Sequence, residues 1–257
     1  MHYKMNLAKK FNLQYIFSIW YNDSKGGDKM HVTPSNNQYI AIIGDIIDSK
    51  KIENRNEVQN KLKNVLCKLN NEYSEDIVAK FGITLGDEFQ GLLKKSENVM
   101  QMILEIEMAM TPVQIRFGIG MGTINTEINY ENSSEIDGSV YHRARKMIKK
   151  IEHKKSQYSE PESNIMINTE DDNIELDELL NSILSVCTAL KSKWTERQIE
   201  IIYAYLSNNK NQYQAAHSLR IGQSSVNKAL KNARFYSYQS AINTVNKFLN
   251  KKRRDND

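Results

Sequence analysis

Two aspartates in this sequence each follow a glycine at the end of a strand-like run: Asp45 closes Gln38–Gly44, and Asp87 closes Ala79–Gly86. Carboxylates fixed at the ends of neighbouring core strands are hard oxygen donors, the minimal holder for a pair of divalent cations such as Mg2+. The same dipeptide has a plainer use. Gly-Asp is a common turn, and either aspartate can simply cap one.

The elements that must position the two acids are legible around them. Tyr39-Ile40-Ala41-Ile42-Ile43 is a continuous apolar run, as suits a central strand buried on both faces. Ala79, Phe81, Ile83 and Leu85 alternate with Lys80, Gly82 and Thr84, the period of a strand with one buried face. Glu88–Leu93 then reads as the returning strand, with Gly86 free to take positive φ at the tip of the hairpin. Val58, Leu62, Val65, Leu66 and Leu69 form one stripe of a helix that ends at Asn70-Asn71. A second amphipathic helix runs from about Glu97 to Met110, with Val99, Ile103, Ile106 and Met110 inward and its methionines as core filler. Pro112 stops it, Val113–Ile119 is the next strand, and Asn164–Asn168 is a short last one. The βαββαβ order predicts an α+β, ferredoxin-like palm: an antiparallel sheet over two helices.

This order, with Asp45 ending one strand and Gly86-Asp87-Glu88-Phe89 in a hairpin, resembles the catalytic palm of class III nucleotide cyclases and GGDEF diguanylate cyclases. Ile115-Arg116-Phe117-Gly118-Ile119-Gly120-Met121-Gly122 is similar to a glycine-rich cyclase strand, and Asp137–Arg145 to the helix after it. As a whole, residues 38 to about 250 resemble the SatD family. The words Ile43-Gly44-Asp45-Ile46-Ile47-Asp48-Ser49-Lys50 and Leu85-Gly86-Asp87-Glu88-Phe89-Gln90-Gly91 carry that resemblance, with a helix-turn-helix near the carboxyl end. The cyclase resemblance implies Mg2+ on Asp45 and Asp87, a nucleoside triphosphate beside Gly86 and Glu88, and Arg145 as a catalytic contact to polyphosphate. Asp48 stands where those enzymes have a glycine: it adds a metal ligand or repels a triphosphate. Ser49 with Lys50 suits a phosphate, and Asp48 or Ser49 equally suits a helix cap. Two positions depart from the cyclase pattern, Tyr141 for an asparagine and Ile83 for a base-selecting lysine.

At 257 residues the chain has room for two modest domains, and its charge is divided between them. From Leu190 onward 13 basic residues face 4 acidic ones, a net +9; the whole chain carries +4, so the preceding 189 residues carry −5. The basic part is expected to meet a polyanion. Thr195 caps a helix with Glu196 in its first turn. The run Tyr213–Leu230 then reads as a helix-turn-helix. Ala216 marks the crossing, Leu219 and Ile221 bracket the turn, and Val226 and Leu230 bury the second helix. In that register Gln223, Ser224, Asn227, Lys228 and Lys231 point outward, a set suited to DNA base edges and phosphates. Arg220 falls where a turn glycine is common.

The expected layout is 38–168 palm, 169–193 acidic linker and connecting helix, 194–250 DNA-binding domain, and 251–257 basic tail. Residues 1–37 read as disorder or as an upstream start, with Met30 as an alternative beginning. Cys67 and Cys187 fall on apolar helix faces without paired spacing, which reads as buried thiols in a reducing compartment. The expected protein is cytoplasmic, a homodimer, and without a membrane span. Two classes of function stay open: a DNA-binding regulator whose palm senses a nucleotide, or a Mg2+-dependent nucleotidyl cyclase or nucleotidyltransferase.

Overall fold

The apolar runs pair as one five-stranded sheet. In the computed structural model, residues 38–84, 86–158, 163–169 and 174–254 are described, without the side chains of 154–158 and 251–254. The amino-terminal segment 1–37, Leu85, the loop 159–162, the acidic stretch 170–173 and the final 255–257 lie outside the described residues. The strands are β1 (Tyr39–Ile46), β2 (Ile77–Ile83), β3 (Glu88–Leu93), β4 (Ile115–Gly122) and β5 (Ile165–Asn168). Their order in the sheet is β2-β3-β1-β4-β5. The first four are antiparallel neighbours in the βαββαβ arrangement expected from the sequence. The fifth departs from that expectation, because β5 runs parallel to β4 and makes the sheet mixed.

Helices α1 (Arg55–Glu72) and α2 (Val99–Met110) share a core with Ile40 and Ile42 of β1 and with Phe117, Ile119 and Met121 of β4. Helix α3 (Ser139–Tyr158) covers the opposite face, where Tyr39, Ala41 and Ile43 of β1 meet Val140, Ala144 and Ile148. The sheet is thus clad on both sides, not on the one side that two helices imply. The glycines of β4 make this possible. A Cβ on Gly118 would lie 2.1 Å from the Ala144 carbonyl oxygen, and one on Gly120 2.1 Å from that of Val140. Bare backbone on every second residue lets the helix axis come closer than any side chain would allow.

Among the described residues, a connecting helix and four more complete the fold: α4 (Ile174–Lys191), then α5 (Glu196–Ser207), α6 (Gln212–Ser218), α7 (Gln223–Asn232) and α8 (Phe235–Arg254). Thr195 caps α5 as expected, and the Gln198 side chain accepts in return from the Thr195 N–H, closing a reciprocal capping box. Helix α4 is not a solvated connector. Leu180, Leu184 and Cys187 are buried, and Lys191 reaches Glu107 of α2 at 2.6 and 2.5 Å in a largely buried ion pair. Asp177, grouped with the acidic linker by its neighbours in sequence, is buried too. It accepts hydrogen bonds from the Thr169 backbone N–H (2.9 Å), the Thr169 hydroxyl (2.8 Å) and Asn168 (2.7 Å). One apolar core runs on from the sheet through α2 and α4 to Val245 and Leu249 of α8. Cys187 lies in that core, but Cys67 is exposed, because it sits one position beyond Leu66 on the outer flank of the α1 stripe. Among the described residues no helix is long and apolar enough to cross a membrane.

Candidate functional site

Sheet register, not sequence distance, assembles the acidic site. Strand β1 lies between β3 and β4, and Asp45 is directly opposite Glu88 on one side and Arg116 on the other. The Ile46 N–H donates to the Asp87 carbonyl at 3.2 Å, which folds the hairpin tip against the end of β1. Gly86 takes φ +61°, the left-handed conformation that the tip requires, and Gln59 of α1 donates to its carbonyl at 2.6 Å. Asp45, Asp87 and Glu88 thereby converge at adjacent strand ends.

Each of these carboxylates already has a partner. Arg116 brings both Nε and Nη2 to within 2.6 Å of Asp45 Oδ2, and its Nη2 also lies 3.1 Å from Glu152 on α3. The Asp45 and Arg116 side chains are 15% and 12% exposed, so this pair is largely withdrawn from water. Burial pushes the Asp45 carboxyl above the usual carboxylate range; repulsion from Asp87 and Glu88 adds to the rise, and Arg116 opposes it. Arg145 of α3 grips Glu88 with two nitrogens at 2.7 and 2.9 Å, and those hydrogen bonds hold its guanidinium pKa above the ordinary value. The Ser49 hydroxyl, in a one-turn 3₁₀ helix over Ser49–Lys51, donates to Asp87.

The remaining candidates fall around this cluster. Asp48 precedes the 3₁₀ turn at φ 54°, and its half-exposed carboxylate lies 3.4 Å from Lys51, on the solvent side. Lys50 is exposed on the same turn. Tyr141 is buried with Tyr39 and Ile136 in the core beneath α3, which lifts its phenol pKa, so it does not take an asparagine's place at the strand ends. Among the described residues no group of three or more His, Cys, Asp or Glu side chains is arranged to hold a metal ion. The donors at the strand ends are two carboxylates, Asp45 and Asp87, with the Ser49 hydroxyl. That partial shell fits Mg2+ as it is usually bound, by one or two carboxylates with phosphates and waters completing the octahedron. Arg116 occupies Asp45 Oδ2, which leaves Oδ1 as the oxygen an ion would meet first.

Arg116 and Glu152 belong to this cluster, yet the sequence assigned neither of them a role. Arg116 had a visible signal, an arginine inside an otherwise apolar strand, yet its partner is 71 positions away and is set only by the β1–β4 register.

The second candidate surface is on α6 and α7. Asn211 caps α6 through hydrogen bonds from Tyr213 (2.9 Å) and Gln214 (3.1 Å). Ala215 and Ala216 are buried beneath it, and a four-residue turn, Leu219–Gly222, leads into α7. Val226 and Leu230 anchor α7 in the core. Ser224, Lys228 and Lys231 are exposed, and Asn227 is half-buried beside them. Gln223 is drawn back toward α6, donating to Gln212 at 2.5 Å. Arg220 takes φ 53°, which accords with its reading at a glycine-like turn position. From Ile201 to Arg254 the sequence holds ten basic residues and no acidic one.

The model of the SatD family matches residues 39–249. This chain belongs to the SatD family. No curated protein matches it significantly. Among solved structures, a bacterial light-regulated adenylyl cyclase is similar at 15% identity and a TM-score of 0.37, over 51% of this chain and 75% of that one. The guanylyl cyclase Cya2 is similar at 15% identity and a TM-score of 0.35, over 51% and 74%. A regulator of polyketide synthase expression from Bifidobacterium adolescentis follows at 11% identity and a TM-score of 0.25, over 84% and 86%. Likeness at this level carries no functional weight.

Proposed function

We propose that this SatD-family chain is a DNA-binding regulator, in which α6 and α7 act as a helix-turn-helix and the palm sheet carries a nucleotide-binding site. The observation that carries the reading is the outer face of α7, where Ser224, Lys228 and Lys231 are exposed in a 54-residue stretch free of acidic side chains. Lysines and arginines on such a face neutralise backbone phosphates, and Ser224 and Asn227 are hydrogen-bonding types suited to base edges. Gln223, tied to Gln212, orients the start of α7 and is withdrawn from base contact. A homodimer would present two such helices to two half-sites.

In the palm, Asp45 and Asp87 would hold Mg2+, which when bound neutralises phosphate charge. Ser49 and the exposed Lys50 lie on one turn beside Asp87, where they meet a phosphate. Glu88 aims Arg145 at the same strand ends, and Gly86 keeps the hairpin tip open. Asp48 stays on the solvent side with Lys51. The regulator reading is preferred to nucleotidyl transfer because it gives both the basic carboxyl-terminal stretch and the two aspartates a role.

Two experiments test this. In a mobility shift on duplex DNA from upstream of the coding sequence, the wild type is expected to shift the band, and the double variant Asn227→Ala, Lys228→Ala to lose the shift. No shift by the wild type at moderate salt would contradict DNA binding. Incubation with each nucleoside triphosphate and Mg2+, with Asp87→Ala in parallel, is expected to give no product. A product formed by the wild type alone would make the palm an enzyme.

A further inference from the structure

Arg220 and Arg234 both sit at φ 53°, in the left-handed region where side chains crowd their own backbone and glycine or asparagine is usual. Each is the first residue past a helix cap: Leu219 closes α6 and Ala233 closes α7. Arg220 N–H donates to the His217 carbonyl at 3.1 Å, and Arg234 N–H to that of Lys231 at 3.0 Å, turns that a glycine would close with less strain. What arginine adds at both places is a long cationic side chain, and both residues are exposed. A helix dipole favours a cation at any carboxyl end, and Lys210, at φ 60° after α5, answers to that alone. Arg220 and Arg234 differ from Lys210 in bracketing α7. The ten residues of α7 make a helix about 15 Å long, and a helix diameter of about 10–12 Å matches the ~12 Å width of the B-DNA major groove.

We infer that Arg220 and Arg234 are paired phosphate contacts at the two ends of α7, and that the polyanion they fit is duplex DNA with α7 in its major groove. This rests on the DNA-binding reading above. When the middle of α7 faces the bases, cations at its ends meet the backbones that line the groove. Duplex RNA fits poorly, since its major groove is too deep and narrow to admit a helix.

The test is fluorescence anisotropy of the full chain on a mixed-sequence DNA duplex of about 30 bp over a NaCl series, since non-specific binding already reports phosphate contacts. Arg220→Gly and Arg234→Gly are expected to melt at or above the wild-type temperature. Each should flatten the plot of log affinity against log salt by about one, and the double variant by about two. Lys247→Gln, an equal loss of charge on α8, should leave the slope unchanged. Arg220→Asn and Arg234→Asn, which also suit left-handed backbone, give the same readout should a glycine loosen its turn. A wild-type slope in the double variant overturns the inference while leaving DNA binding intact, and an equal loss in Lys247→Gln does the same. Failure of the wild type to bind the duplex at low salt overturns both readings. Tighter binding to an RNA duplex of the same length overturns the choice of DNA.

Discussion

At the ends of β1 and β3, Asp45 and Glu88 are each closed by an arginine from another element, whereas from Ile201 to Arg254 ten basic residues face no acidic neighbour in sequence. The first region has partnered its carboxylates internally, so a ligand there competes with contacts already made. In the second, the described basic residues Lys210, Arg220, Lys228, Lys231, Arg234 and Lys247 are exposed, at little cost to folding, since long cationic side chains keep their heads hydrated. Balanced charge at largely buried strand ends gives a cluster closed on itself. Unbalanced charge on an exposed helix gives a surface ready for a polyanion.

Removing one cation from each region should separate the two most sharply. Arg116→Ala leaves the largely buried Asp45 carboxylate without its partner, and is expected to cost ~3–5 kcal/mol of stability in chemical denaturation. Lys231→Ala, an equal change of charge on the exposed face, should stay within about 0.5 kcal/mol. A small loss for Arg116→Ala would mean that water already solvates the strand ends.

A gentler change reads the same burial through pH. The folded-state pKa of Asp45 is raised above the ordinary 3.8, so the native state binds this proton more tightly than the unfolded chain does. Ionising Asp45 therefore costs stability as pH climbs from 3.8 through the raised value, and the cost levels off above it. Asp45→Asn cannot titrate there. The stability of the wild type relative to that variant should fall across this window and then stay flat. A difference that rises with pH would show that Arg116 outweighs desolvation.

How far the sequence disclosed these regions follows the range of the interactions. The hairpin at Gly86-Asp87 was legible because turn chemistry and strand alternation are local, and β3 has the expected bounds. The same holds for α6 and α7, whose Ala216, Val226 and Leu230 are buried as their spacing implied. Arg116 was not legible, because only the sheet register places it across from Asp45. Nor was the second helical face of the sheet, which depends on what packs over Gly118 and Gly120. Asp177 looked like one more solvated acid because its three donors come from the end of β5, which sequence pattern does not connect to it.

The contrast between the two regions is tested most directly by amide hydrogen exchange, read by mass spectrometry with and without a DNA duplex. Protection confined to peptides spanning residues 211–234, with peptides across β1 and the β2–β3 hairpin unchanged, is the expected result. Protection that falls on residues 38–51 or 83–93, or on no part of the chain, would contradict it.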